Sequence, residues 1–241
     1  MTISIARGHV HKNYKIFVKG RIFLYAVPFK VMMPENIERV VEILKATVPP
    51  HPYKSKEPFR VLIATVISQR TKDEVTYSVA ERLFEKYPDP SSLKNAPVDE
   101  IARLIYPAGF YKQKARKIKE IARIIDEEYD GVVPRTLDEL LKLPGVGRKT
   151  ANIVLSRCFD QDVIAVDVHV HRISNRLGWV STRTPEETER ELMKILPKKY
   201  WREINELLVM FGRTICRPVG PKCDECPVSD FCDYFKNKKK R

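Results

Sequence analysis

The chain has no apolar run approaching the roughly 18 to 20 residues that cross a bilayer. Its longest early run, Ile22 to Val27, is far too short, and no small-residue cleavage pattern of a secretory signal follows it. These two absences argue against a membrane partner and against export, and predict a cytoplasmic protein. Acidic residues are missing from both ends: residues 1–31 hold six Lys/Arg and residues 236–241 hold five, with no Asp or Glu in either. The formal net charge of +13 is therefore mostly terminal, and residues 32–235 carry only about +2. Total charge is thus a weak argument for nucleic acid, and local clusters must carry it. One is Lys112, Lys114, Arg116, Lys117 and Lys119, which a solvated helix face explains equally well; the other is Arg148 with Lys149. A hydrophobic fraction of 43% excludes wholesale disorder.

Cysteine is scarce and unevenly placed. Four of the five lie in the stretch 216–232, and in an intracellular chain such a cluster argues for a metal site over a disulfide framework. Cys158 stands alone on an apolar helix pattern and reads as a core residue. Strand alternation is absent after residue 35, and there is no clear long internal repeat. Residues 1–31 are basic and partly alternating, which suits a short hairpin or an appendage. Met32-Met33 is an alternative start, so this segment is expected to be dispensable. Ile37, Val40, Val41 and Leu44 mark one helix face. Val48-Pro49-Pro50-His51-Pro52 then reads as a linker. Helical patterns follow at 59–68, 73–86, 98–104, 114–129, 137–143, 148–159, 185–196 and 200–214, with another after Asp167. Thr136 and Glu139 form a capping-box signature. The expected fold class is all-α.

Three constellations carry chemistry. Leu143-Pro144-Gly145-Val146-Gly147-Arg148-Lys149 lies between two helical patterns as a tight turn whose glycines allow close backbone approach. The free N–H groups of the turn and of the next helix suit a phosphate oxygen. Lys149 falls in the first turn of that helix, where the helix dipole disfavours a cation. The dipole and the neighbouring Arg148 favour the neutral amine, the nucleophilic form. The second is Val163-Ile164-Ala165-Val166-Asp167, in which Asp167 suits an N-cap. Lying eighteen residues after Lys149 with a helix between, its carboxylate can fold back toward the amine. His169 and His171 lie two apart, on different helix faces, which argues against a shared metal. The third is Cys216, Cys223, Cys226 and Cys232, spaced by six, two and five residues. Four such thiolates can ligate zinc or an iron–sulfur cluster, although only the middle pair is as close as in zinc ribbons.

The 143–151 stretch resembles the helix-hairpin-helix element of DNA glycosylases. Lys149 with Asp167 is similar to the catalytic pair of those that are also lyases, and the cysteine spacing resembles a 4Fe-4S loop. Together, residues from about 35 to 234 resemble the endonuclease III family. That resemblance implies a six-helix barrel domain at 54–161 with the helix-hairpin-helix. It also implies a helical 4Fe-4S cluster domain at 34–53 and 162–241, with a DNA-binding cleft between the two and an extension at 1–33. It implies a monomeric DNA N-glycosylase and abasic-site lyase acting on double-stranded DNA, nucleoid-associated in the cytoplasm, with oxidised or ring-saturated pyrimidines as substrates. Lys149 would be the nucleophile and Asp167 its partner. Gly145, Val146, Gly147 and Arg148 would bind the backbone, and the four cysteines the cluster. Where the family places a wedge Gln before Thr71, this chain has Arg70 with Gln69 before it, so the wedge falls on one or the other. Gly109-Phe110-Tyr111 resembles the second wedge loop, with Phe110 able to insert. Adenine- or thymine-mismatch glycosylases of the same fold generally lack the lysine. A non-catalytic DNA-binding or redox module needs neither Lys149 nor Asp167.

Overall fold

The computed structural model describes residues 13–18, 21–26 and 34–238, and the chain divides into two units at Met33/Pro34. In the first unit, β1 (Asn13–Val18) pairs antiparallel with β2 (Arg21–Ala26), Asn13 opposite Ala26 and Val18 opposite Arg21. This is the short hairpin that the alternation of residues 14–18 allows. The Met32-Met33 start and the 236–241 tail fall wholly or partly outside the described residues.

The second unit is helical throughout, with no strand among its described residues. Its centre is α2 (Pro58–Ser68), in which eight residues from Phe59 to Ile67 are buried. A helix apolar on every side must be enclosed by others. α3 (Asp73–Lys86), α6 (Tyr111–Glu128) and α8 (Arg148–Cys158) pack on it. Glu57 starts α2 by accepting the Phe59 and Arg60 N–H groups, with Pro58 in the first turn, where its missing donor costs nothing. Between α3 and α6 lie α4 (Pro90–Asn95) and α5 (Val98–Ile105), and α7 (Leu137–Leu140) precedes α8. One apolar core running from Phe59 to Leu155 joins these seven helices.

A second packing group assembles on α9 (Val168–Leu177). It consists of α10 (Pro185–Ile195), α11 (Ile204–Thr214) and α12 (Asp233–Lys238), and α1 (Pro34–Thr47) packs against α11 through the face predicted for it. α9 and α11 approach closely at Gly212, where a Cβ would run into His169 and Arg172. Among the described residues no helix is long and apolar enough to cross a membrane.

The α4 helix was not expected. Asp89 and Ser92 cap it reciprocally and Pro90 opens it, but six residues are too few to show a helical period. The α6 helix begins at Tyr111 instead of 114, because Phe110 turns the chain in a left-handed conformation (φ 58°) with no side-chain cap to announce it.

Candidate active site

The hairpin is held from below and open above. Leu143 and Val146 are buried in the barrel core, whereas Gly145 and Gly147 are exposed. Gly145 takes φ +80°, a conformation that L side chains resist. Gly147 is the N-cap of α8 and supplies no side-chain cap, so the first N–H groups of that helix face outward without one. Gln69 ties the end of α2 to the hairpin, its Nε2 donating to the Gly145 carbonyl at 2.9 Å.

Lys149 and Asp167 line the same cleft, together with Ser68, Asp73 and Arg213. Asp167 is the N-cap of α9, and its Oδ1 accepts from both His169 N and Val170 N at 2.9 Å. Among the described residues the Lys149 Nζ makes no hydrogen bond and no ion pair, Asp167 included. Burial pushes its amine below the usual lysine range, against the pull of the Asp167 and Asp73 carboxylates, and the Arg213 cation adds to the lowering. The helping cation is therefore Arg213 and not the neighbouring Arg148. Arg148 turns away to Glu189 on α10, donating to its two carboxylate oxygens at 2.8 Å each.

Beneath Lys149 lies a polar network that sequence reasoning missed. Arg213 pairs with Asp73; Tyr77 donates to Asp73 Oδ2 at 2.9 Å and meets His51 Nε2 at 3.1 Å; Tyr53 stacks on Tyr77 at 5.1 Å. Burial alone would raise the Asp73 carboxyl, but Arg213 and the Tyr77 hydroxyl hold it below the usual range. Burial lowers the His51 imidazole. These residues come from the supposed linker, α3 and α11, and no local pattern brings them together.

The 69–71 turn and the 109–110 turn meet at the rim of the cleft. Arg70 is exposed, has φ 52°, and sets its guanidinium 5.6 Å over the Phe110 ring. Phe110 is 55% exposed, so it is no core aromatic. Of the basic run on α6, Lys112, Arg116 and Lys117 are exposed. Lys114 is buried and Lys119 donates to the Ala96 carbonyl, so the run is not one continuous basic face. Burial pushes the Lys114 ammonium down to about 8.

Cys216, Cys223, Cys226 and Cys232 are free thiols lining one cavity, walled by Leu177, Phe211, Ile215 and Phe235. Arg176 of α9 points Nη1 at Cys216 Sγ, 3.5 Å away, and donates to the Arg217 carbonyl at 2.7 Å. Burial raises the Cys232 thiol and pushes Cys226 up to about 11. Among the described residues no three His, Cys, Asp or Glu side chains are gathered so as to hold a single metal ion. Cys158 packs beside the barrel core as expected.

A helical scaffold with a phosphate-ready hairpin beside a lysine-containing cleft defines the class, and residues 63–198 match the model of the HhH-GPD superfamily of base excision DNA repair proteins. The Thermotoga maritima endonuclease III is 54% identical over 191 residues, covering 79% of this chain and 90% of that one. The chloroplastic endonuclease III homolog 2 of Arabidopsis thaliana is 43% identical over 224 residues, 83% of this chain but 58% of its own length. A structure described as a trapped endonuclease III–DNA covalent intermediate, an estranged-adenine complex, superposes with a TM-score of 0.79. It is 38% identical, with 87% of this chain and 100% of that one covered. The chain belongs to the endonuclease III family.

Proposed function

We propose that this protein is a bifunctional DNA glycosylase and abasic-site lyase of base excision repair, acting on oxidised or ring-saturated pyrimidines in double-stranded DNA. The observation that carries the reading is the state of Lys149. Its amine is pushed toward the neutral form by burial, engaged by no partner among the described residues, and set in one cleft with Asp167 beside outward-facing helix N–H groups.

The chemistry follows from those groups. Backbone N–H groups at Gly145, Gly147 and Arg148 receive a phosphate at the α8 N-terminus. The Val146 N–H is already donated to the Leu143 carbonyl at 3.1 Å, so Val146 serves the hairpin by packing its buried side chain and not by binding the phosphate. The damaged nucleotide swings out of the stack into the cleft. The Lys149 lone pair forms a bond to C1′ as the glycosidic bond breaks, and the base leaves with that electron pair. Asp167 stabilises the positive charge that develops on the sugar and takes the proton that Lys149 gives up. Loss of the ring oxygen bond yields an iminium ion. Removal of the C2′ proton then sends electrons to expel the 3′ phosphate, breaking the strand. Arg70 acts as the wedge together with Phe110. Gln69 is engaged with the hairpin carbonyl, whereas Arg70 stands exposed on the Phe110 ring.

Two packing groups support reading residues 54–161 as the barrel domain and residues 34–53 with 162–241 as the cluster domain. The four thiols on an apolar-walled cavity, with a cationic donor 3.5 Å from Cys216 Sγ, fit a 4Fe-4S cluster. Its contribution is structural, cross-linking a turn-rich segment that has little core of its own. Duplex DNA carrying one ring-saturated thymine tests the reading. Base release followed by a strand break with a 3′ unsaturated aldehyde is expected. Base release with an intact strand, or release only from A·G or G·T mismatches, would refute it.

A further inference from the structure

Lys114 occupies an unusual position for a lysine in a DNA-binding protein, since it is 5% exposed and faces inward from α6. Burying an ammonium is costly unless every proton finds an acceptor. Here each does: Nζ donates to Ile67 O and Gln69 O at 2.6 Å and to Thr71 Oγ1 at 2.8 Å. Ile67 lies in the last turn of α2, whose carbonyls have no further helical partners and favour a cation. Three N–H donors meet three acceptors, which is the whole capacity of an ammonium and more than a neutral amine could supply.

The third acceptor extends the arrangement. Thr71 Oγ1 also accepts the Gly109 N–H at 3.1 Å and gives its own proton to Gln69 O at 3.3 Å. A Cβ at Gly109 would run into the Arg70 carbonyl, so the two turns touch backbone to backbone. Arg70 follows one anchored carbonyl and Phe110 follows the anchored amide. Both are in left-handed conformations, which cost non-glycine residues energy unless surroundings impose them.

We propose that Lys114 and Thr71 are positioning residues that clamp the Arg70 turn to the Phe110 turn, so that the two exposed side chains enter the DNA stack as one rigid wedge. The inference rests on the glycosylase–lyase reading above. Its energetic content is preorganisation: without the clamp each turn must be ordered while the base is being extruded. The clamp touches neither the damaged base nor Lys149, so chemistry at C1′ does not depend on it. Lys114 is likewise no second nucleophile, since its three protons are all engaged.

The test compares excision of a ring-saturated thymine from duplex DNA with β-elimination at a preformed abasic site in single-stranded DNA, where no partner base remains to be displaced. Lys114→Met, Thr71→Val and Thr71→Ser are measured in single turnover, with thermal melting alongside. Lys114→Met and Thr71→Val should slow duplex excision about tenfold and leave single-strand cleavage within about twofold, since unstacking matters only for the first. Thr71→Ser, which keeps the hydroxyl, should stay close to the wild type. Equal losses on both substrates, no loss on either, or a Ser variant as poor as the Val variant would overturn the clamp. Should Lys114→Met fail to fold, the Val and Ser pair decides alone. A wild-type protein unable to cleave the single-stranded abasic site would refute the lyase reading itself, which is a different failure.

Discussion

Arg148→Ala separates two uses of one guanidinium. Glu189 is 5% exposed, and its carboxylate is satisfied by Arg148 Nε and Nη2 at 2.8 Å and by Asn152 Nδ2 at 3.2 Å. Removing the guanidinium leaves a buried charge with a single neutral donor. Breaking a fully buried pair costs about 3–5 kcal/mol. The Arg148 side chain is 46% exposed, so water reaches the vacated side. About 2 kcal/mol is then the expected loss after solvent screening. In a chain of this size that corresponds to a fall in Tm of about 4–8 °C. Glu189→Gln should cost about 1 kcal/mol, since its amide still accepts one hydrogen bond. The double variant should lose little beyond Arg148→Ala, giving a coupling of roughly 1 kcal/mol in a double-mutant cycle by thermal or urea melting. Because the guanidinium is held on α10 while the backbone serves the phosphate, the salt slope of DNA binding should not change. A slope lower by about one, with a melting temperature shifted by under about 1 °C, would refute this division of labour.

Asp167→Asn retains the cap on α9, because Asn caps about as well as Asp; it should melt within about 0.5 kcal/mol of the wild type while excision slows at least about tenfold. Asp167→Ala should lose about 1 kcal/mol as well, and wild-type excision by the Asn variant would remove Asp167 from the chemistry. Cys223→Ser, purified anaerobically, should lose the brown colour and the iron of the native protein, and stoichiometric zinc without iron in the wild type would contradict the cluster. Burial holds the folded-state Lys149 below its unfolded value, so between the two the unfolded chain binds more protons and stability rises with pH. The wild type should therefore gain stability relative to Lys149→Met as pH climbs through that window toward about 10.4. A Tm difference independent of pH would mean that the amine is not desolvated.

Much of the scaffold was legible because burial imprints a period. The four apolar residues of α1, the continuous apolar run of α2 and the α3 segment at 73–86 all fall where the pattern places them. Local chemistry also located the Asp167 cap, since an Asp before a helix finds its N–H groups within three residues. What escaped depends on contacts between distant segments. His51, the Asp73–Tyr77 pair of α3 and Arg213 converge from three places in the chain, and no local pattern marks those neighbours. Lys114 sits among four other basic residues in sequence, and only the end of α2 turns it inward. Gln69 meets the Gly145 carbonyl across 76 positions, a contact that no local pattern announces.

The central claim is that Lys149 is the nucleophile, and trapping its imine tests that most directly. Wild-type protein mixed with an abasic duplex and sodium borohydride should give a covalent protein–DNA adduct whose modified residue maps to Lys149. Lys149→Gln keeps much of the side-chain length and its hydrogen-bonding ability but cannot form an imine, so it should bind the same duplex and yield neither adduct nor strand break. An adduct that persists in Lys149→Gln, or that maps to another amine in the wild type, would place the nucleophile elsewhere.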